Sequence, residues 1–267
     1  DGFYTLMIGC SDMGTGCDTI LAQMAADGLG CDMDNIIVRG VDTDQSPYDS
    51  GSYASSTTYV TGGAVVKACE SMRKRICEEA AAIMGLKSGE VDFDGETISE
   101  NDNPEHSMTL SDLITSLEAG NGRIIEVTES HTSPVSPPPF MAGAAEIEVD
   151  LETGKITPIN YVAAVDCGTV INTNLARIQT EGGIVQGMGM TLYEDVQYTE
   201  AGKMKNRNFM SYKIPTRLDM GSISVEFESS YEQTGPYGAK SIGEIVINTP
   251  APAIADAVYN ATGLRFR

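Results

Sequence analysis

From Gly62 to Gly85 the apolar residues recur at helical spacing. Val65, Ala68, Cys69, Met72, Ile76, Ala80 and Ile83 form one stripe, with Arg73, Lys74, Glu78 and Glu79 expected to face water. A long helix with a single apolar stripe must be laid against other elements, because its own hydrogen bonds do not stabilise it enough in water. The chain also carries strands. "AAEIEVDLETGKITPINYVAAVD" (144–166) reads as a hairpin around an "ETGK" turn, "FYTLMIGCSD" (3–12) as a strand running into a loop, and "NIIVRGVDT" (35–43) and "SISVEFESS" (222–230) as further strands.

The remaining helices follow from periodicity and caps. Ile20, Leu21, Met24 and Ala25 predict a helix started by Asp18 or Thr19 and ended at Gly28 or Gly30. "TLSDLITSLEAGN" (109–121) predicts a short helix with Ser111 as N-cap, and 174–194 a helix rich in glycine. The last helix runs from Thr249 as N-cap, with Pro250 in the first turn, to Gly263. Residues 86–108 are acidic and polar and read as a surface insertion or module boundary, and "HTSPVSPPP" (131–139) as an extended strap. Helices and strands alternate without a regular βαβ rhythm. The expected class is therefore α+β, with mixed sheets and packed helices, rather than a doubly wound sheet. Two α+β modules are expected, 1–120 and 121–267.

The 267 residues include 41% hydrophobic ones and carry a formal net charge of −21, which describes a globular chain with a strongly acidic surface. Such a surface repels phosphate backbones and anionic lipids, so neither nucleic acid nor a membrane is expected as partner. No apolar run approaches the roughly 20 residues of a spanning helix. The sequence opens at Asp1 without a methionine and reads as a piece of a longer protein. None of the six cysteines forms a CxxC pair, and the expectation is reduced, mostly buried thiols in a cytoplasmic protein. His106 and His131 are the only histidines, both in loop sequence, which argues against a histidine metal site or a catalytic triad.

Four stretches are candidates for chemistry. "SDMGTGCDT" (11–19) is a glycine loop feeding a helix, suited to an anion or simply a turn. "DSGSYASSTTYVTGG" (49–63) packs seven Ser and Thr into thirteen positions before the Gly62 helix, a hydroxyl-rich cradle or a solvated loop. "QTEGGIVQGMGM" (179–190) places four glycines within eight residues of a helix, so another helix or a cofactor approaches its backbone closely. "GAKSIGEIVINTP" (238–250) sets Glu244 among Ile242, Ile245, Val246 and Ile247. That acid reads either as the partner of Lys240 or as a buried general base with a raised pKa.

With "MGTG", "YASSTTYVTGGAV", "EGGIVQGMGM", and "GAKSIGE" followed by "PAPAIADAVYNATG", the chain resembles the C-terminal part of the molybdenum-binding subunit of the xanthine dehydrogenase and aldehyde oxidase family, the molybdenum hydroxylases. The resemblance runs over nearly the whole chain. It implies a molybdenum–molybdopterin cofactor, in the plain or the cytosine dinucleotide form, held by dithiolene sulfurs with no protein side chain as metal ligand. It implies cofactor contacts from Gly14, Thr15, Gly16, Ser52, Tyr53, Ala54, Ser55, Ser56, Thr57, Gln179, Gln186, Lys240 and Gly243. Ala54 and Ser55 would bring backbone close to the metal. Glu244 is then the base in hydroxylation of an N-heterocycle or an aldehyde, with water as the oxygen source. Many members carry Gln where this chain has Thr15, and prolines where it has Ile245 and Val246. A "GGGFGG"-type loop is absent, as are iron–sulfur and flavin modules. The implied partners are the other half of the molybdenum subunit and modules carrying 2Fe-2S clusters and FAD, in a hetero-oligomer acting on a small molecule. The alternative is a non-catalytic scaffold subunit that lends part of a cofactor cradle.

Overall fold

The structure, a computed structural model, describes residues 2–133 and 135–266, with the backbone alone at 121. It divides into two compact units, 1–136 with 234–237, and 137–233 with 238–267. Residue 134 of the strap lies outside the described residues. The rest of 131–139 has no regular secondary structure.

In the first unit, β1 (Tyr4–Ile8) and β2 (Ile36–Gly40) pair in parallel, joined through α1 (Cys17–Leu29). α2 (Gly62–Met84) follows and packs on α1, with Leu21, Met24, Val65 and Cys69 buried. The cap of α1 differs from expectation. Gly16, in the left-handed region at φ 75, occupies the N-cap position, and Gly30 closes the helix. The apolar stripe of α2 is buried at Val65, Cys69, Ile76 and Ala80, but Ile83 is exposed.

Two charged residues of α2 expected in water are not there. Glu79 is buried, gripped by Arg75 at 2.7 Å and Arg123 at 2.5 Å. Arg73 turns back to donate to the carbonyls of Leu29 and Phe93 and lies 5.3 Å from the Phe93 ring. Burial is tolerated at both because the charges find partners.

Residues 86–108, expected to be an insertion, instead form an antiparallel sheet of β3 (Val91–Phe93), β4 (Thr97–Glu100) and β5 (Asn103–Thr109). Val91, Phe93 and Ile98 join Ile76, Ala80, Leu113 and Leu117 in one core. α3 (Leu110–Asn121) starts two residues earlier than the expected cap at Ser111 implies. Thr109, not Ser111, is the N-cap: its Oγ1 accepts from the Asp112 N–H at 3.1 Å, and the Asp112 carboxylate returns to the Thr109 N–H.

In the second unit, β6 (Phe140–Val149) and β7 (Ile156–Asp166) form the expected hairpin, and β8 (Ser222–Phe227) lies parallel to β7, a mixed sheet. α4 (Thr173–Leu192), capped by Asn172, and α5 (Pro250–Thr262) bury Ile184, Met188, Ile254 and Val258 with Tyr161, Val165 and Val225 of the sheet. Thr249 precedes α5 as expected, but its side chain does not cap the helix. Its Oγ1 pairs with the Tyr161 hydroxyl at 2.8 Å and ties α5 to β7. Among the described residues, no helix is long and apolar enough to cross a membrane. Cys10, Cys17, Cys69 and Cys167 are buried thiols, with Cys31 and Cys77 half-buried.

Candidate functional site

In the first unit, the glycine loop closes on itself. One Asp12 carboxylate accepts the N–H groups of Gly14 at 2.9 Å, Gly16 at 3.1 Å and Asp18 at 3.4 Å. The helix-start amides do attract an anion, and that anion is the chain's own Asp12. Its slight burial would raise its pKa, but the N–H groups of Gly16, Gly14, Asp18 and Thr15 outweigh this and lower it. Gly14, at φ 94, has open space where a Cβ would stand, so the outer side of the loop is accessible. Asp12, Cys17 and Asp18 each bring a ligand atom within 4.8 Å of the others. With Asp12 engaged by backbone, that cluster carries no metal assignment.

The hydroxyl-rich loop begins next to the glycine loop. A Cβ on Gly9 would lie 2.8 Å from the Asp49 Cβ and 2.2 Å from the Pro47 carbonyl oxygen, so the backbone of Gly9 and this loop are in close contact. Asp49 in turn accepts from the Gly51 N–H at 2.8 Å and the Thr61 hydroxyl at 3.1 Å. Ala54 (φ 54) and Ser55 (φ 56) then stand consecutively in the left-handed region, and a single π turn (Thr57–Thr61) leads into α2. Non-glycine residues there cost about 1 kcal/mol or more each, and such strain and π turns concentrate at functional sites. Tyr53 is exposed, while Ser52, Ser55, Ser56 and Thr57 are half-buried. Where β1 and β2 end, a cavity of about 390 Å³ is lined by Asp18, Arg39, Gly40, Asp42, Gln45 and Ser46, among others.

In the second unit, residues 238–240 are laid along the end of β7. The Lys240 N–H donates to the Cys167 carbonyl at 2.7 Å and the Thr169 N–H to the Gly238 carbonyl at 2.8 Å, around an antiparallel bridge between Gly168 and Ala239. The acid met by Lys240 is Asp166, 74 residues earlier: Nζ lies 2.8 Å from Oδ2, with the lysine 9% exposed and the aspartate 22%. The Lys240–Glu244 pair expected as one reading is replaced by this one. Ser230 Oγ at 2.5 Å and the Gly168 N–H at 3.0 Å complete the Asp166 shell. Burial would push Asp166 up, but the bonds from Lys240, Ser230 and Gly168 and the ammonium charge outweigh it and hold its pKa at about 2. Lys240 thus anchors the segment that carries Gly243 and Glu244.

Glu244 itself is exposed, not buried. It precedes a 3₁₀ turn, Ile245–Ile247, in which successive side chains diverge by about 120°. Val246 is driven into the protein while the acid stays exposed. Two of the α4 glycines explain how the turn is seated. A Cβ on Gly183 would stand 2.2 Å from Val246 Cγ2, and one on Gly187 2.8 Å from Pro250 Cγ. What approaches the helix is the Glu244 segment itself. Gln186 is exposed and Gln179 half-buried, two turns apart on a neighbouring stripe of α4. Gly182 lies on that stripe too, with open space beside it.

The structure therefore places Gly14, Thr15, Gly16 and the loop of Ser52 to Thr57 in one unit, and Gln179, Gln186, Lys240, Gly243 and Glu244 around α4 and β7 in the other. Sequence reasoning passed over Asp12, Asp166 and Ser230. An acid two residues before the first glycine, and one at the end of a strand, were the available signals. It also passed over Ser241, whose hydroxyl is buried with no hydrogen-bond partner among the described residues. Such an orphan calls for a ligand or a water.

Comparison with known proteins gives a consistent picture. The molybdopterin cofactor-binding domain family matches residues 1–221. The chain is 33% identical over 272 residues to "Probable hypoxanthine oxidase XdhD" of Escherichia coli strain K12, covering all of this chain and 28% of that protein. It is 26% identical over 268 residues to the carbon monoxide dehydrogenase large chain of Afipia carboxidovorans, covering 97% of this chain and 33% of that one. The solved structure of quinoline 2-oxidoreductase from Pseudomonas putida 86 superposes with a TM-score of 0.83 at 26% identity, covering 98% of this chain and 34% of that one. The chain thus spans about a third of the length of the curated relatives it matches.

Proposed function

Because the chain belongs to the molybdopterin cofactor-binding domain family, we propose that it is part of a molybdenum hydroxylase that acts on an N-heterocycle or an aldehyde. When bound, the cofactor supplies the two-electron redox chemistry of hydroxylation, with water as the source of oxygen. The residues present fit such a group. The orphaned Ser241 hydroxyl, the open side of Gly14 and the strained Ala54–Ser55 backbone are unfilled or costly features that a polar, multi-acceptor ligand would offset.

Gly14, Thr15, Gly16 and the residues Ser52 to Thr57 are the contacts we assign in the first unit. Gln179, Gln186 and Gly243 are those of the second. Lys240 contributes indirectly, since its ammonium is held by Asp166. Glu244 would take up the proton of the water-derived hydroxyl whose oxygen attacks the substrate carbon, as general base, a role typically worth 10²–10⁴-fold in rate. Partner modules with 2Fe-2S clusters and FAD would carry the electrons away.

The observation that carries this reading is the seating of Glu244. The segment is clamped at Lys240 by a mostly buried ion pair and at Val246 by helix glycines, while the acid between them projects outward. Glu244→Gln in the assembled enzyme is expected to lower kcat by at least about 100-fold with molybdenum and pterin content unchanged. Full activity in that variant would remove the general-base assignment. Absence of molybdenum from an intact wild-type assembly would favour the scaffold reading.

A further inference from the structure

The reading of this chain as one part of a larger molybdenum subunit leads to an assignable surface. Among the described residues, β1 and β2 have no third strand beside them. A parallel pair of this kind is not self-sufficient, since parallel sheets occur with both faces covered and with more strands. α1 packs on one side, where Ile8 and Ile36 are buried. The opposite side is bare. Phe3 (58% exposed), Met7 and Ile37 stand along it, with Thr5 level with Ile37 and Arg39 level with Met7. Just past β2, Val41 is 62% exposed and held at φ 57, a strained conformation for a β-branched residue. The cavity of about 390 Å³ has Met7 and Arg39 on its wall, so the face also offers a socket for an anchoring side chain.

We propose that this face, with a free edge of the β1–β2 pair, is where the remaining polypeptide of the same subunit docks, completing the sheet. Two observations select that occupant. The relatives match 97–100% of this chain but are about three times longer, so most of their polypeptide lies outside the matched region. A second copy of this chain is disfavoured, because each carries a formal charge of −21 and the two would repel. The complementary surface is an apolar strand or helix with a carboxylate or carbonyl opposite Arg39.

The test uses the full-length subunit in its native assembly. Ile37→Cys, and Met7→Cys from the neighbouring strand, are alkylated with iodoacetamide, and the modified peptides are resolved by mass spectrometry. Leu151→Cys, at a 78% exposed position of the β6–β7 turn, is the accessible control. The expected result is that both thiols on the β1–β2 face react about 100-fold more slowly than the control, as for groups reached only by local opening. Rates equal to the control would overturn the proposal. So would protection found only in a species holding two copies of the subunit and lost on dilution. Molybdenum and pterin are measured on the same samples: protection without molybdenum would sink the cofactor reading and leave the docking surface standing.

Discussion

Replacing Lys240 by Met keeps the buried aliphatic stem and deletes only the ammonium, so it isolates the ion pair with Asp166. The magnitude follows from the pair's surroundings. Asp166 is held at about 2, against 3.8 for the free group. That gap corresponds to about 2 kcal/mol of stability at neutral pH. The variant leaves a mostly buried carboxylate with only Ser230 and the Gly168 N–H, a loss nearer the cost of breaking a buried pair, about 3 kcal/mol. The Phe140 ring, 5.3 Å from the ammonium, adds a smaller cation–π loss of about 0.5 kcal/mol. The sign with pH is fixed. Because the folded-state pKa is depressed, the contribution is complete above 3.8 and disappears as pH falls through 2. In Lys240→Met the carboxyl protonates at higher pH, so the variant's deficit should shrink as pH falls from 5 to 3, first because the variant regains stability and then, below 3.8, because the wild type loses its own contribution. Guanidinium denaturation of the full chain across that range gives the free energies, and exchange of the Lys240 and Thr169 amides reports the local bridge. A loss below about 0.5 kcal/mol, independent of pH, would refute the reasoning. So would a Lys240→Met/Asp166→Asn double variant no more stable than Lys240→Met.

Gly183→Ala should displace Val246 and destabilise the chain by about 1–3 kcal/mol. Gly182→Ala, where a Cβ meets nothing, should gain up to about 1 kcal/mol; denaturation midpoints of the two compared side by side decide this. In the assembled enzyme, Gly183→Ala should also lower kcat by moving Glu244, with Gly182→Ala near wild type if Gln179 and Gln186 keep their positions. Ala54→Gly relieves a left-handed backbone and should stabilise the chain lacking cofactor by about 1 kcal/mol, read as a rise in Tm; an unchanged or lower Tm would mean the strain is not stored there.

What the sequence made legible depended on how local the cause was. α2 could be read end to end because its stripe and its closing Gly85 lie within the helix. The β3–β5 sheet could not, since its strands are only three to seven residues long and acids punctuate them. Yet "DG" at 94–95 was a hairpin signal: Asp94 accepts the N–H groups of Glu96 and Thr97 at the turn. Glu79 looked solvated because one of its two arginines, Arg123, is 44 residues away. The motif around Glu244 was recognisable, but its apolar flanks misled, because burial of neighbours in a 3₁₀ turn says little about the residue beside them. Three of the four α4 glycines do mark a close approach. At Gly183 and Gly187 what approached was the chain's own Glu244 segment, a fact no spacing within α4 could reveal.

Neither unit is a contiguous stretch of chain. Residues 234–237 belong with the first unit, where the Tyr59 hydroxyl meets Thr234 Oγ1 at 2.6 Å and the Tyr237 hydroxyl donates to the Met24 carbonyl at 3.1 Å. The polypeptide therefore crosses between units three times, and the last crossing falls only six residues before Glu244. A gene cut once near residue 136 cannot separate them cleanly: the first product would lack its own four-residue stitch, and the second would carry it as a loose thread. Recombination at a single breakpoint would meet the same obstacle. A single breakpoint therefore never yields both units whole, and the loops of one travel with the carboxylate of the other.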